Sequence, residues 1–258
     1  MTKNGQAENK VVLVTGAARG IGLATATAFL HDGYRVGVSD LDYDEARAAV
    51  AGLDADKDAI PLSMDVKSTE DVNACVAKVI ERFGRLDALI NVAGTTTDHP
   101  RPSQEEPDAE WARHLDTHLS GTFRCSRAAY PHLAATGSGA IVNVSSLAAR
   151  LAMRQRVAYT SAKAGIEGLT RLLGVEWAPA GVRVNAVAPG YIRTPRLEAG
   201  FRSGALDEEM MASNVPQRRL GRAEEVASVI LFLASDAASH VTGQTIAVDG
   251  GAGIDSRH

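Results

Sequence analysis

The segment Lys10–Gly22 reads KVVLVTGAARGIG and contains the strongest local evidence for the fold. Its first part, Lys10–Thr15, is a short run rich in Val, which is typical of a parallel strand buried on both faces. Glycines follow at positions 16, 20 and 22, and a segment with helical character, Gly20–Asp32, begins there. Such a turn exposes backbone N–H groups at a helix N-terminus, where a phosphate is favoured. The segment therefore predicts a strand, a phosphate-binding turn and a helix.

The rest of the chain repeats this alternation. Short apolar segments predict further strands at 34–39, 60–65, 86–92, 140–144, 182–187 and 245–248. Helices are predicted at 44–53, 68–83, 108–135, 157–177 and 222–234, the longest with a kink near Ser120–Gly121. The segment 194–219 has mixed, polar composition and no clear strand. Because alternating strands and helices form right-handed βαβ units, we predict an α/β fold: a doubly wound, Rossmann-type parallel sheet of seven strands with helices on both faces.

Composition limits the class of protein. The 258 residues, 45% of them hydrophobic, suit one globular domain, and no linker or repeat divides residues 1–258. The polar N-terminal tail, 1–9, has no apolar signal segment, and no apolar run approaches the roughly 18 residues that cross a membrane, so we expect a cytoplasmic protein. The net charge of -4 gives no indication of nucleic-acid binding. Cys75 and Cys125 form no metal-ligand or disulfide pattern, and no metal site is expected.

An acidic residue adds to the evidence for a dinucleotide. Asp40 follows the second predicted strand, and an acid roughly 20 residues after the glycine turn can bind the adenosine ribose hydroxyls. Its charge disfavours a 2′-phosphate, which favours NAD over NADP. Arg19 favours NADP instead, because a basic residue in the glycine turn can bind a 2′-phosphate. Close repulsion is hard to offset, so we predict NAD. Asp40 as a solvated loop acid is the alternative.

Tyr159 and Lys163 are candidates for acid–base chemistry. They are four residues apart in a predicted helix, so their side chains lie on one face. A nearby ammonium favours the phenolate and lowers the phenol pKa from its usual value near 10. Such a pair can take a proton from an alcohol or give one to a carbonyl. The spacing alone leaves an alternative open, in which Tyr159 and Lys163 are neighbours on a surface helix by chance.

Five motifs in order resemble the short-chain dehydrogenase/reductase family. They are TGAARGIG at 15–22, Asp40, NVAG at 91–94, the set Ser146, Tyr159 and Lys163, and PGYIRTP at 189–195. The resemblance extends from Lys10 to about Gly251. It implies hydride transfer between a nicotinamide cofactor and an alcohol or carbonyl compound.

The resemblance also implies roles for individual residues. Tyr159 is expected to be the general base in oxidation and the acid in reduction, Lys163 to lower its pKa and bind the nicotinamide ribose, and Ser146 to fix the reacting oxygen. Thr194 is expected near the nicotinamide amide, or else to cap the helix that follows. Residues expected to bind the cofactor are Gly16, Arg19, Gly20, Ile21, Gly22, Asp40, Asp65, Val66, Asn91, Ala93, Gly94, Tyr159, Lys163, Pro189, Gly190, Ile192 and Thr194.

Two positions depart from the family pattern. Val92 replaces a usual Asn, which we expect to cost one local hydrogen bond. His118 stands where the family often has a fourth catalytic residue, an Asn. Its imidazole can replace the structural hydrogen bond of the amide, which we favour, or titrate near neutral pH and take part in a proton relay.

The substrate is the least determined part. By resemblance the pocket is formed by 95–99, 147–156 and the substrate-loop segment 190–219, and candidate contacts are Thr96, Arg154, Gln155 and Arg196. Arginine pairs well with carboxylate or phosphate, although each of these arginines can equally be a solvated or intersubunit residue. We predict NAD-dependent oxidation of a small polar secondary alcohol: a polyol, sugar or hydroxy acid. The alternatives are an NADPH-dependent 3-oxoacyl-acyl-carrier-protein-type carbonyl reductase and a non-catalytic NAD-binding regulator. The resemblance also suggests a homo-oligomer, a tetramer or dimer.

Overall fold

A computed structural model of the chain describes residues 9–55, 57–97 and 99–255. Most of the polar tail, 1–8, therefore lies outside the described residues. The strands, in chain order, are β1 Val11–Thr15, β2 Arg35–Asp40, β3 Ala59–Ser63, β4 Ala88–Asn91, β5 Ala140–Val144, β6 Arg183–Pro189, β7 Ile192–Arg193, β8 Gly221–Arg222 and β9 Thr245–Val248. The helices are α1 Gly20–His31, α2 Tyr43–Gly52, α3 Thr69–Phe83, α4 Asp108–His114, α5 Gly121–Thr136, α6 Val157–Glu176, α7 Pro195–Arg202, α8 Glu208–Ser213 and α9 Ala223–Ala234.

Seven strands form one sheet in the order β3-β2-β1-β4-β5-β6-β9. Every pair in it is parallel, with Val12 level with Val36 on one side of β1 and with Ala88 on the other. The predicted doubly wound sheet is thus confirmed. Strands β2 and β3 lie on one side of β1, and β4 and the strands after it lie on the other side. In open α/β sheets, ligands bind outside the carboxyl ends of the strands at the point where the order changes sides, which here lies between β1 and β4.

Helices cover both faces of the sheet, as predicted. Side chains alternate between the faces along a strand, so β1 contributes to two apolar clusters. Val12 and Val14 pack in a cluster with residues of α1 and α9, including Phe29 and Ile230. On the other face, residues of β1 pack with residues of α3, α5 and α6. These two layers fix the strand ends at which the candidate site lies.

The long helix predicted at 108–135 consists of three parts. Between α4 and α5 the segment Leu115–Ser120 is π-helical, and it contains the buried His118. The expected kink near Ser120–Gly121 coincides with the end of this segment. Wider π turns occur often at functional sites.

The segment 194–219 has more structure than the sequence predicted. Two helices, α7 and α8, lie in it, and β7 pairs with β8 across it. Local signals were present: Thr194 Oγ1 accepts a hydrogen bond from the Leu197 N–H, and Asp207 accepts one from the Met210 N–H. Both are ordinary N-caps. Among the described helices, none is long and apolar enough to cross a membrane.

Candidate active site

The glycine turn between β1 and α1 has a backbone that only glycine permits. Gly16 and Gly20 have φ values of +61° and +57°. A Cβ on Gly22 would lie 2.1 Å from the Gly16 carbonyl oxygen, and one on Gly16 would lie 2.8 Å from the Cα of Ala93. Side chains here would fill the cradle, so its bare backbone is available to a ligand at the start of α1.

Asp40 is fixed beside this turn. Its Oδ2 accepts a hydrogen bond from the Ala18 N–H at 3.1 Å. Arg19 points to α2, where its Nη1 lies 3.3 Å from Glu45 Oε1 in an exposed pair. The next acid, Asp42, caps α2 by accepting from the Asp44 and Glu45 N–H groups. The end of β2 is therefore an acidic environment, and the nearby arginine already has an acidic partner.

The NVAG segment is held by side chains of neighbouring strands. Asn91 Nδ2 donates to Asn143 Oδ1 at 2.9 Å and to Ser126 Oγ at 3.2 Å. Thr15 Oγ1 accepts from the Val92 and Ala93 N–H groups at 3.1 and 3.0 Å. Val92 itself packs against the apolar cluster under α1 and α9. The segment thus lies against the glycine turn with its backbone partly satisfied by Thr15.

The remaining expected cofactor positions lie around the strand ends. Ile21, in the first turn of α1, packs against the apolar cluster between the sheet and α1, and Pro189 ends β6. Just after β3, Asp65 Oδ1 accepts a hydrogen bond from the Lys67 N–H. The buried Val66 lies close to Gly121, since a Cβ on Gly121 would be 2.8 Å from Val66 Cγ2.

The segment after β6 approaches the glycine turn. The Gly190 N–H donates to the Val248 carbonyl at 3.0 Å, and a Cβ on Gly190 would lie 2.8 Å from the Cα of Asp249. Ile192 is buried in β7. Thr194 caps α7, and its Cγ2 would be 3.7 Å from a Cβ on Gly20. The capping role that the sequence left as an alternative for Thr194 is therefore present, and the residue also lies beside the turn.

Lys163 is buried beside Tyr159 on α6. Its Nζ donates to the Val144 carbonyl at 2.7 Å and lies 5.8 Å from the centre of the Tyr159 ring. Burial lowers the pKa of Lys163 to about 7, because the charged ammonium loses water. The lysine is therefore able to change protonation near neutral pH.

Burial has the opposite consequence for Tyr159, whose pKa it raises. A hydrogen bond from the Ser146 hydroxyl and the positive charge of Arg156 act to lower that pKa, but burial outweighs them. This direction differs from the lowered phenol pKa that the sequence predicts. The reason is non-local: burial depends on how α6 packs, which the spacing of two residues does not reveal.

Two serines at the end of β5 have different partners. Ser145 Oγ lies 3.2 Å from the Lys163 carbonyl oxygen and 3.3 Å from Glu167 Oε1, and its one hydrogen can be donated to either, so it joins β5 to α6. Ser146 Oγ accepts from the Ala148 N–H at 3.1 Å. A hydroxyl that accepts from a backbone amide keeps its own hydrogen for another acceptor. Ser146 can thus donate to an oxygen placed beside Tyr159.

His118 contacts the same tyrosine from the π-helical segment. Its ring is perpendicular to that of Tyr159, with centres 5.4 Å apart, and is parallel to His114 at 5.7 Å. Its Nε2 lies 2.9 Å from the Thr95 carbonyl oxygen. Burial first, and then the charge of Lys163, lower the pKa of His118 to about 2. A neutral imidazole with a structural hydrogen bond fits the replacement that the sequence favoured over a titrating relay.

Gly94 makes room for this imidazole. A Cβ on Gly94 would lie 2.5 Å from His118 Cε1 and 2.8 Å from Nδ1. The bare backbone of the NVAG segment therefore accommodates a ring in place of the smaller amide.

Sequence reasoning missed Arg113, which organises the loop after β4. Its guanidinium donates to Thr95 Oγ1, to the Thr96 carbonyl at 3.0 Å and to Glu110 at 2.7 Å. The spacing of Glu110 and Arg113, three residues apart on a helix, was the available signal. Thr96 thus lies on this loop with its carbonyl engaged. The other substrate candidates, Arg154, Gln155 and Arg196, are exposed.

The geometry defines a class of protein. A glycine cradle, an acid at the end of β2 and a Ser–Tyr–Lys set lie at the carboxyl ends of one parallel sheet. The glycine cradle and the change of strand order between β1 and β4 together fit a dinucleotide, because the pyrophosphate of a dinucleotide must come close to the protein backbone. The chain is a dinucleotide-binding α/β protein with acid–base groups beside the cradle.

Comparisons with known proteins agree with this class. A family profile described as enoyl-(acyl carrier protein) reductase matches residues 16–253. Cis-4-hydroxycyclohexanecarboxylate dehydrogenase of Sinomonas cyclohexanicum is 43% identical over 242 residues, covering 94% of this chain and 96% of the relative. The 3-oxoacyl-acyl-carrier-protein reductase of Thermotoga maritima is 38% identical over 247 residues, covering 95% of this chain and 98% of the relative. A solved structure described as ElxO with NADP bound has a TM-score of 0.89 and 33% identity over 94% of this chain and 98% of that one.

The chain belongs to the short-chain dehydrogenase/reductase family. It is accordingly an oxidoreductase that uses a nicotinamide cofactor and acts on a CH–OH group. The family and the enzyme class that the sequence indicated are thereby confirmed.

Proposed function

We propose that this protein is an NAD-dependent dehydrogenase of a small polar secondary alcohol, a polyol, sugar or hydroxy acid, with hydroxy acids favoured. The observation that carries the proposal is Tyr159, which has Ser146 and Lys163 beside it. The relative from Sinomonas, whose name describes a hydroxy acid dehydrogenase, supports the choice among substrates.

In this mechanism each side chain has one task. When bound, the nicotinamide cofactor supplies the hydride chemistry. Ser146, whose hydrogen is directed to Tyr159 in the structure, would donate it to the alcohol oxygen of a bound substrate, and Tyr159 takes the hydroxyl proton in oxidation or returns it in reduction. A protonated Lys163 would favour the phenolate by its charge, and this would oppose the rise in the Tyr159 pKa that burial causes. His118 stays neutral and holds the loop at Thr95, so it does not change protonation during the reaction.

The proposed preference for NAD rests on Asp40. Its carboxylate is held at the glycine turn by the Ala18 N–H, where it would accept from ribose hydroxyls and repel a 2′-phosphate. Gly16, Gly20 and Gly22 would cradle the pyrophosphate, with Asn91, Ala93 and Gly94 supporting the opposite side. A structural neighbour is described with NADP bound, which makes the cofactor a direct test of the proposal.

The second candidate is an NADPH-dependent 3-oxoacyl-acyl-carrier-protein-type reductase. The relative from Thermotoga and the basic residue Arg19 favour it. Against it stands the pairing of Arg19 with Glu45, which leaves Asp40 as the charged group at the turn. Tight NADPH binding with weak NADH binding would support the reductase over the dehydrogenase.

We also propose a cytoplasmic homo-oligomer, a dimer or tetramer. Large apolar side chains on α5 and α6 are exposed, Phe123 at 39%, Leu172 at 54% and Val175 at 74%. Exposed apolar groups at this density on adjacent helices favour a protein–protein contact. Sedimentation of the purified chain would test it, and a monomer at micromolar concentration would contradict it.

The experiment for the activity is a substrate panel with both cofactors. Polyols, sugars, hydroxy acids and hydroxyacyl thioesters are offered with NAD and NADP, and reduced nicotinamide is followed by absorbance. Tyr159→Phe should lose at least about 100-fold in turnover and keep cofactor binding, because only the proton transfer is removed. Tyr130→Phe, a tyrosine packed on Trp177 away from the site, is the matched control. Full turnover by Tyr159→Phe would contradict the mechanism.

A further inference from the structure

Most arginines near the substrate side of the site already have anionic partners. Arg150 lies 3.2 Å from Glu167 and donates to the Thr245 carbonyl. Arg193 pairs with Glu198 and Glu208. Arg113 pairs with Glu110 and holds the loop after β4. An arginine engaged in this way has lost much of its capacity to bind an external anion.

Arg156 differs from these arginines. It is half-buried and occupies the N-cap position of α6, one turn before Tyr159. Across the described residues 9–55, 57–97 and 99–255, no acidic group pairs with its guanidinium. A cation at a helix N-terminus is also unfavourable, because that end carries partial positive charge. The Arg156 guanidinium is therefore available to an anion from outside the chain.

The backbone before Arg156 is strained. Gln155 has a φ of +62°, a left-handed conformation that a residue with a side chain rarely adopts. Residues held in such conformations cluster at ligand-binding sites, where surrounding structure maintains them. The strained residue leads the chain from the exposed Arg154 into α6 and so determines the direction in which Arg156 leaves the backbone.

Arg156 is also electrostatically coupled to the acid–base group. Its positive charge acts to lower the pKa of Tyr159. Side chains three residues apart at a helix start are about 5–6 Å apart at their Cβ atoms. An anion bound by Arg156 would therefore belong to the same small molecule that presents its hydroxyl to Tyr159.

We propose that Arg156 binds a carboxylate of the substrate, so that the alcohol oxidised at Tyr159 is a hydroxy acid. This inference rests on the proposed function and names its substrate class. The planar guanidinium can form two parallel hydrogen bonds to a carboxylate, which fixes orientation as well as affinity. Anion binding would also offset the unfavourable charge at the start of α6.

The test compares one acid with its neutral isostere. 4-Hydroxycyclohexanecarboxylate and 4-hydroxycyclohexanecarboxamide are oxidised by the wild type and by Arg156→Gln, Arg156→Lys and Arg154→Gln. Each enzyme is assayed at its own pH optimum, because removal of Arg156 alters the Tyr159 pKa. Arg156→Gln should raise KM for the acid by about 10- to 100-fold, as expected for loss of charged hydrogen bonds, and change kcat/KM for the amide by less than about threefold. Arg156→Lys should recover part of the loss.

The controls separate this inference from the proposed function. Arg171→Gln, an exposed arginine further along α6, should leave both substrates unaffected. Equal losses for acid and amide in Arg156→Gln, or a selective loss in Arg154→Gln instead, would overturn the role of Arg156. A wild type that oxidises neutral alcohols and not hydroxy acids would overturn the inference and leave the dehydrogenase proposal intact. Absence of alcohol oxidation with either cofactor would overturn the proposed function itself.

Discussion

The Nε2 atom of His118 lies 2.9 Å from the carbonyl oxygen of Thr95, which ties the π-helical segment to the loop after β4. Because burial and Lys163 lower the pKa of His118 to about 2, the imidazole stays neutral wherever the folded protein works. His118→Asn should therefore leave the shape of the pH profile of kcat unchanged. Loss of an acidic limb in the variant would restore the proton-relay hypothesis.

His118→Ala tests the structural side of the same contact. The substitution leaves the buried space of an imidazole empty and removes a partner of Thr95. We expect a lower free energy of unfolding by about 2–4 kcal/mol, measured by urea denaturation. His118→Asn, which retains a polar group, serves as the control and should lose much less stability.

Cofactor preference should depend on the charge of Asp40. Asp40→Asn keeps a side-chain oxygen for the Ala18 N–H and removes the repulsion of a 2′-phosphate. The ratio of kcat/KM for NAD to that for NADP should fall by about 10-fold or more, since a nearby charge contributes more than 1 kcal/mol. Asp44→Asn, a highly exposed acid at the start of α2, is the control. An unchanged ratio for Asp40→Asn would contradict the NAD assignment.

The glycine cradle should not tolerate a side chain at position 22. Gly22→Ala places a Cβ 2.1 Å from the Gly16 carbonyl oxygen. This oxygen belongs to the backbone of the turn, which cannot move away from the new Cβ as a flexible side chain could. We expect the Kd for NADH, measured by fluorescence titration, to rise at least about 10-fold, together with a lower Tm. Gly52→Ala, where the new Cβ would meet no described atom within 4 Å outside its own helix backbone and chain neighbours, should leave both quantities nearly unchanged.

Lys163 should make stability depend on pH. Its pKa is about 7 in the folded protein and near 10.4 in an unfolded chain. Between these values the unfolded chain binds more protons, so the free energy of unfolding contributed by this group rises with pH from about 7 to about 10. Lys163→Met removes that contribution. Denaturant unfolding across this range should show a smaller rise in the variant, and parallel curves would contradict the lowered pKa.

Local motifs and non-local packing differ in how well the sequence predicts them. The glycine turn, the end of β2 and the alternation of strands and helices are local features, and the seven-stranded sheet follows from them with one strong handedness rule. The raised pKa of Tyr159 depends on burial created by several elements. The pairing of Arg150 with Glu167 depends on the path between β5 and α6. Neither is contained in a residue spacing.

The short elements after β6 show a different limit. Thr194 and Asp207 are ordinary N-cap residues, yet polar composition around them concealed α7 and α8. Helices of this length have too few apolar positions to produce a periodic pattern. Arg113 was missed for a related reason, because its partners Thr95 and Thr96 lie in a loop whose path is set by tertiary structure.

The π-helical turn at Leu115–Ser120 makes chain length itself a determinant of the site. Deletion of one residue there would permit regular α-helical winding, because a π turn (i→i+5) accommodates about one residue more than the 3.6 residues of an α-helical turn. The flanking helices α4 and α5 would keep their register, while the widened turn that holds His118 against the Thr95 carbonyl would be lost. A deletion in this segment is thus a change of site geometry without a change of fold.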